Sequence, residues 1–481
     1  MTTAVVTDLL GFDLNINLDE CIEQDQRGDA ELFKRFFIRD FVYDRSEGVW
    51  YRHLGYWEPD INNTYVWTAI SDTIAGVYLK EAANQRAANN QASEEKYLKR
   101  AKKLRNNNYV KDVIQWAEKL MPLVGTWDNS NMSLPCVNGM VDLRDGSEHT
   151  IYSSDYVKSF SPAQWKGLYA DCPKWEQFIF DIFSGDPELT TFIQRLFGYA
   201  ISGKANEKIM PILYGQGGNN GKTTLIETIS KVLGASVCST NSADVLMEVK
   251  FNNGGEKPSP FLVSLPGKRL FFAKESKEGQ RFNLGLIKEL TGGDTITGRG
   301  MYARELISFR PCFVPFLITN RLPHLNADDN AAWNRILAIE FENSFETNPQ
   351  NTGTKIANKN LLEELTQEAP GILAWLVRGC LDWQREGLNP PKKVMDKTNQ
   401  YREKEDTIGQ YFIECVDVTG VKSDFEQAFN LYENYQRWCS KSGISWTNIT
   451  VFGKRVSKLP NVTKPPRTAQ GIIYEGLKII M

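Results

Sequence analysis

With 481 residues, the chain has length for roughly two to four domains, and its 41% hydrophobic and 24% charged content is ordinary for a globular protein. No apolar run approaches the roughly 18–20 residues of a membrane span, and no basic segment precedes the apolar residues at the N-terminus, so neither a span nor a secretory leader is expected. A net charge of −3 confines any nucleic-acid contact to local patches; eight scattered cysteines without a Cys-x-x-Cys pair, and three histidines, argue against structural zinc and for reduced thiols in a cytoplasm.

In chain order, residues 1–165 mix aromatic-rich strand-like pieces with one strongly helical stretch, as an α+β N-terminal domain would. Phe41 to His53 reads as a hairpin turning at Ser46 to Gly48. Tyr65 to Asn108 has a helical pattern ending in Lys96, Lys99, Arg100, Lys102, Lys103 and Arg105, either a solvated helix face or a DNA contact. Val137 to Gly146 is another strand–turn signal. Cys172 to Ser202 is amphipathic and helical within a collar or linker at 166–205, and it leads into an apolar strand. From 206 to 385 strands and helices alternate, which predicts a parallel α/β sheet with strands at 209–214, 269–273, 313–319 and 336–341. Residues 360–385 look helical, and Lys392 to Asp406 reads as a charged connector. Residues 386–481 end in a small helical module with a β-wing.

The segment Met210 to Leu225 carries the most chemistry. A strand enters a loop containing Gly215, Gly217, Gly218, Asn219, Asn220 and Gly221, and a helix leaves through Lys222, Thr223 and Thr224. Backbone N–H groups of such a loop, with the helix N-terminus behind them, make a positive cradle for polyphosphate. Lys222 would reach the β and γ phosphates of ATP, and the Thr223 hydroxyl would hold Mg²⁺. The alternative is a glycine-rich turn. Gln216 stands where the strict pattern has glycine, so the loop is one residue longer than the standard form.

A nucleotide hydrolase also needs a carboxylate at a neighbouring strand tip, to order Mg²⁺ and polarise water. Glu275 follows four apolar residues in that position, and Glu278 is a second candidate. Gly298 to Gly300 is expected at the tip of a hairpin, where Arg299, Tyr302 and Arg304 offer cations for phosphate and a ring for a base or sugar; an ordinary solvated hairpin fits equally. Asn320 ends a buried strand and either binds the lytic water or γ-phosphate or starts the turn before Pro323. Arg335 is either an arginine finger for a neighbouring subunit or an ion-pair partner of Asp328 or Asp329.

Together these segments resemble the helicase half of phage/plasmid and poxvirus-type primase–helicases, superfamily 3 ATPases of the AAA+ class. The resemblance extends upstream through Leu134 to Arg144, Asp171 to Phe178, Gly185 to Leu189 and Gln194 to Tyr199. In the core it rests on Gly267 to Leu270 with Glu275, Leu290 to Asp294, Thr319–Asn320 and Trp333 to Arg335, and in the tail on Tyr401 to Asp406, Tyr435 to Trp438 and Phe452–Gly453. It implies an AAA+-like P-loop core at 206–385, a winged-helix DNA-binding domain at 386–481, and a ring, usually a hexamer, with ATP sites between subunits. It further implies 3′→5′ unwinding of forked DNA by pore hairpins that grip one strand. Asn334 and Lys274 depart from the family pattern, as does the lengthened loop.

No Asp-x-Asp pair precedes the family-like region, so a separate primase or polymerase is expected to act in trans. The tail is basic, with Lys454 and Arg455 among the candidate DNA contacts. The expected location is the cytoplasm of a bacterial host or virus-infected cell. The competing reading is an ATP-switched replication initiator or loader that binds origin DNA without processive unwinding.

Overall fold

The computed structural model describes all residues except 1–4, 8–12, 129–130, 249–258, 278, 302–305, 347–354, 468–470 and 481, with the backbone alone at 5–7 and 13–15. Tyr302, Arg304 and Glu278 therefore lie outside the described residues. Two units form, one from residues 1–171, 231–237 and 369–377, the other from 172–230, 238–368 and 378–481.

In the first unit, apolar residues at helical spacing gather α1 (Gln26–Phe37), α2 (Gln91–Lys103) and α3 (Asn107–Leu120) around Phe33, Trp50, Ile70, Tyr78 and Val113. The expected hairpin is β1 (Phe41–Asp44) and β2 (Val49–His53), continued antiparallel by β3 (Trp57–Pro59). Asp44 Oδ1 accepts from Ser46 N at 2.8 Å and Glu47 N at 3.2 Å, which fixes its turn. The long helical run is real but broken, because Asn90 and Asn106 cap new helices with their side-chain oxygens.

The basic face of α2 is only partly a solvated face. Arg100 is 4% exposed, and its guanidinium donates to Asp25 at 2.6 Å and Asp29 at 3.2 Å. Tyr78 and Tyr109 also donate to Asp29, at 2.6 and 2.7 Å. Burial nevertheless pushes the Asp29 carboxyl up to about 6, against the pull of Arg100.

The second unit is built on five parallel strands in the order β5-β6-β9-β4-β10: β4 (Met210–Tyr214), β5 (Cys238–Ser242), β6 (Leu270–Lys274), β9 (Val314–Thr319) and β10 (Ile336–Glu340). The inner strands are nearly continuous apolar runs, as a sheet covered on both faces requires. β5, with the sequence Cys-Ser-Thr-Asn-Ser, is an edge strand that apolar periodicity does not reveal. The mixed α/β architecture with a parallel sheet is thus as expected.

The amphipathic stretch before the sheet splits at Gly185–Asp186 into α4 (Pro173–Ile182) and α5 (Pro187–Ile201), with Asp186 capping the second helix. The segment expected as a charged connector is instead α8 (Lys392–Glu405). It buries Val394, Thr398 and Tyr401, and Thr398 Oγ1 accepts from Ala338 N of edge strand β10 at 2.9 Å. A sparse apolar stripe in a strongly charged sequence hid this helix.

The last part of this unit has its own core of Tyr411, Leu431, Tyr435 and Phe452, from α9 (Thr407–Cys415), α10 (Ala428–Lys441) and α11 (Ile449–Val456). Two short antiparallel pairs close it, Phe425–Gln427 with Ile473–Glu475 and Val416–Asp417 with Lys478–Ile479.

Candidate functional site

Parallel strands deliver their carboxyl ends to one edge of the sheet, where loops from several strands meet. The register aligns Tyr214 with Thr319 and Lys274 with Ile318, so Gly215, Asn320 and Glu275 emerge together from β4, β9 and β6. The elements separating them in sequence are far longer than any turn; only the sheet brings the three together.

The loop after β4 winds through left-handed backbone at Gly217, Gly218, Asn219 and Gly221, with φ of +82°, +76°, +51° and +84°. At Gly221 a Cβ would also lie 2.6 Å from Ile182 Cγ2, and at Gly215 2.6 Å from the Phe341 carbonyl oxygen. The glycines at 217 and 218 are needed for φ alone, since nothing lies within 4 Å of a Cβ there. α6 (Lys222–Leu233) starts at the end of this loop.

Lys222 is 6% exposed, and among the described residues its ammonium donates only to neutral groups, Gly215 O at 3.1 Å and Asn220 Oδ1 at 2.9 Å. Desolvation lowers it from the ordinary lysine range to about 8. A buried ammonium held by carbonyl oxygens, beside a run of left-handed backbone, fits an anionic phosphate. Thr223, the first residue after it, is exposed.

Glu275 is exposed in left-handed backbone with φ +66°, and its N–H donates to Ile318 O at 3.1 Å. Beside it, Ser276 Oγ and Thr319 Oγ1 share a hydrogen bond of 2.6 Å, and Thr319 Oγ1 also accepts from Arg321 N at 3.1 Å. This pair ties the ends of β6 and β9 together and leaves the Asn320 side chain exposed at the edge. No group of three or more His, Cys, Asp or Glu that could hold a metal exists among the described residues, so a cation here would draw on Thr223, Glu275 and phosphate oxygens.

A cleft of about 720 Å³ opens beside the loop. Asn219, Gly221 and Thr224 form one wall; Phe178 of α4, Phe345 of β11 (Phe345–Glu346) and Ile356 of β12 (Lys355–Ile356) line the others. Its apolar faces suit a flat heterocycle. The Phe345 and Ile356 walls went unnoticed in sequence, because the two-residue strands bearing them carry no periodic signal.

Arg335 is not brought to this edge. It sits at the amino end of β10, donating through Nε to Thr291 Oγ1 at 2.9 Å and through Nη1 to Ala331 O. The expected pairing with Asp328 or Asp329 does not occur, because Lys288 takes Asp329 at 2.7 Å and Arg455 takes Asp328 at 2.8 Å. Arg455 also pairs with Asp406 at 2.8 Å, so its charge is committed within this unit, whereas Lys454 beside it is exposed. The expected hairpin is β7 (Ile296–Gly298) with β8 (Ile307–Phe309). It follows α7 (Leu284–Gly292), and Arg299 at the end of β7 is half-buried, its carbonyl accepting from Ser259 N at 2.9 Å.

Residues 30–184 match the family described as D5 N terminal like, and residues 213–335 match a family of unknown function (DUF5906). The chain is 26% identical over 461 residues to a protein of Acanthamoeba polyphaga mimivirus named as a putative helicase, across 88% of this chain and 47% of that protein. It is 24% identical over 379 residues to a protein of African swine fever virus named as a putative primase, across 73% of this chain and 37% of that one. The chain thus spans less than half the length of either relative. Among solved structures, the A form apo C-terminal region of NrS-1 is similar at a TM-score of 0.49 and 11% identity, over 91% of this chain and 96% of that one. No helix among the described residues is long and apolar enough to cross a membrane.

Proposed function

We propose that this chain, which belongs to the D5-like primase–helicase family of phages and viruses, is an ATP-driven DNA helicase motor for genome replication. The observation that carries this reading is the gathering of the Lys222 loop, Glu275 and Asn320 at one edge of a parallel sheet. Strand order β5-β6-β9-β4-β10 supports an AAA+-like P-loop core.

In this reading the loop N–H groups and Lys222 hold the β and γ phosphates of ATP, and Phe178 and Phe345 flank its base. Thr223 and Glu275 would hold Mg²⁺, which would supply charge neutralisation at the phosphates. Glu275 polarises the attacking water and Asn320 orients it or the γ-phosphate. Arg335 lies at the amino edge of the same sheet, held by Thr291, and on release would enter a neighbour's site in a hexameric ring.

The β7–β8 hairpin would then carry Arg299, with Tyr302 and Arg304, to one DNA strand, giving 3′→5′ movement. The helices and short antiparallel pairs of residues 407–479 fit a winged helix, with Lys454 on its exposed face and Arg455 holding it in place. A primase or polymerase would act beside the motor.

The test is strand displacement on 3′- and 5′-tailed forks with ATP, comparing wild type and Lys222→Ala. ATP-dependent displacement of the 3′-tailed fork, abolished in the variant, is expected. ATP turnover with no displacement on either fork would favour an ATP-switched loader, and no turnover by wild type would refute the site.

A further inference from the structure

One asparagine of the lengthened phosphate loop lies in the middle of its hydrogen bonding. Asn220 is 4% exposed, and all three of its side-chain bonds stay near the loop. Its Nδ2 donates to Gln216 O at 3.2 Å, across the loop, and to Asn343 O at 2.9 Å, beyond β10. Its Oδ1 accepts from Lys222 Nζ at 2.9 Å. The bracing continues outward: Asn343 Nδ2 donates to Asp181 O at 2.6 Å, and Phe345 N donates to Asn219 O at 3.0 Å. Asp181 and Phe345 both line the cleft beside the loop.

A loop with four successive or near-successive left-handed residues has little stiffness of its own, since three of them are glycines with broad backbone freedom. A lysine stem with four rotatable bonds adds more freedom at the same place. One amide that spans both restrains both. We propose that Asn220 is a positioning residue for Lys222, aiming its ammonium at the phosphate site while tying the lengthened loop to the wall of the base cleft. This deepens the ATP-site reading and rests on it.

Two further features agree. Among the described residues the buried ammonium has no carboxylate partner, so a neutral acceptor steadies it without competing for charge with phosphate. The Asn220 amide donates to two carbonyls that no other side chain satisfies among the described residues, so a smaller residue at this position would free the loop as well as the lysine.

The test uses full-length wild type, Asn220→Ala and Asn220→Ser, with affinity for ATP and AMP measured by equilibrium binding and thermal melting followed in parallel. Both variants are expected to melt within a few degrees of wild type and to lose about 10-fold or more in ATP affinity, the scale of a lost hydrogen bond to a charged group, with AMP affinity little changed. AMP lacks the β and γ phosphates assigned to Lys222, so an equal loss for both nucleotides would mean a collapsed cleft and would overturn the positioning role. Unchanged ATP affinity in both variants would overturn it too. Failure of wild type to bind ATP would instead remove the reading on which it rests.

Discussion

If ATP occupies the proposed site, burial of Lys222 should make its binding pH-dependent in a calculable way. The free chain holds this ammonium near 8, because it is 6% exposed among neutral acceptors, whereas bound phosphate would return it to full charge. ATP binding should therefore take up a proton at this side chain, about 0.1 per site near pH 7, about 0.5 near pH 8 and about 0.9 near pH 9. The same linkage weakens ATP affinity about 10-fold between pH 7 and pH 9, near 1.4 kcal/mol. The sign for folding is the reverse: between about 8 and the unfolded value near 10.4 the unfolded chain holds more protons, so stability of the nucleotide-free protein rises with pH. Calorimetric titration with ATP in buffers of different ionisation enthalpy gives the proton count directly. ATP binding with no proton uptake near pH 8, or with affinity flat from pH 7 to 9, would refute the placement of the buried lysine at the phosphates.

Glu275→Gln should keep ATP affinity within a few-fold while turnover falls about 100-fold or more, because the amide cannot polarise water; turnover assays beside binding separate the two effects. Arg299→Ala should abolish strand displacement and spare ATP turnover, and undiminished unwinding would remove the hairpin from the DNA path. Arg335→Ala should be inactive alone yet regain turnover in mixed assemblies with Lys222→Ala, which supplies an intact arginine; no recovery on mixing would argue against action between subunits. In the first unit, Arg100→Ala should cost about 3 kcal/mol by leaving Asp29 buried without its cation. That loss should shrink as the pH falls toward about 6, because Asp29 without its cation takes up a proton at higher pH in the variant than in wild type; a pH-independent loss in melting experiments would contradict the buried pair.

The backbone of the glycine-rich loop was legible in sequence because local covalent order carries it. Glycine tolerates left-handed backbone, lysine follows at the helix start, and both facts survive whatever the rest of the chain does. The same holds for β4, β6, β9 and β10, whose apolar runs announce buried parallel strands. Polar β5 and the charged helix α8 escaped, since one lies at an edge and the other buries only a thin stripe.

Partners across long sequence distances were another matter. Residue types could offer Arg335 to Asp328 or Asp329, but Lys288 and Arg455 reach those carboxylates first. Arg100 looked like one more surface cation until packing enclosed it with Asp29. Phe178 and Phe345 become two walls of one cleft only after α4 and the segment past β10 close around the loop. By itself the sequence determined which polar and charged side chains are present in the loop, and which strand ends bear them. Only the tertiary structure decided which of those side chains meet, which charges are already spent on one another, and that the loop residue Asn220 is bonded to Lys222, because each depends on strand register and on competition for partners that no local pattern encodes.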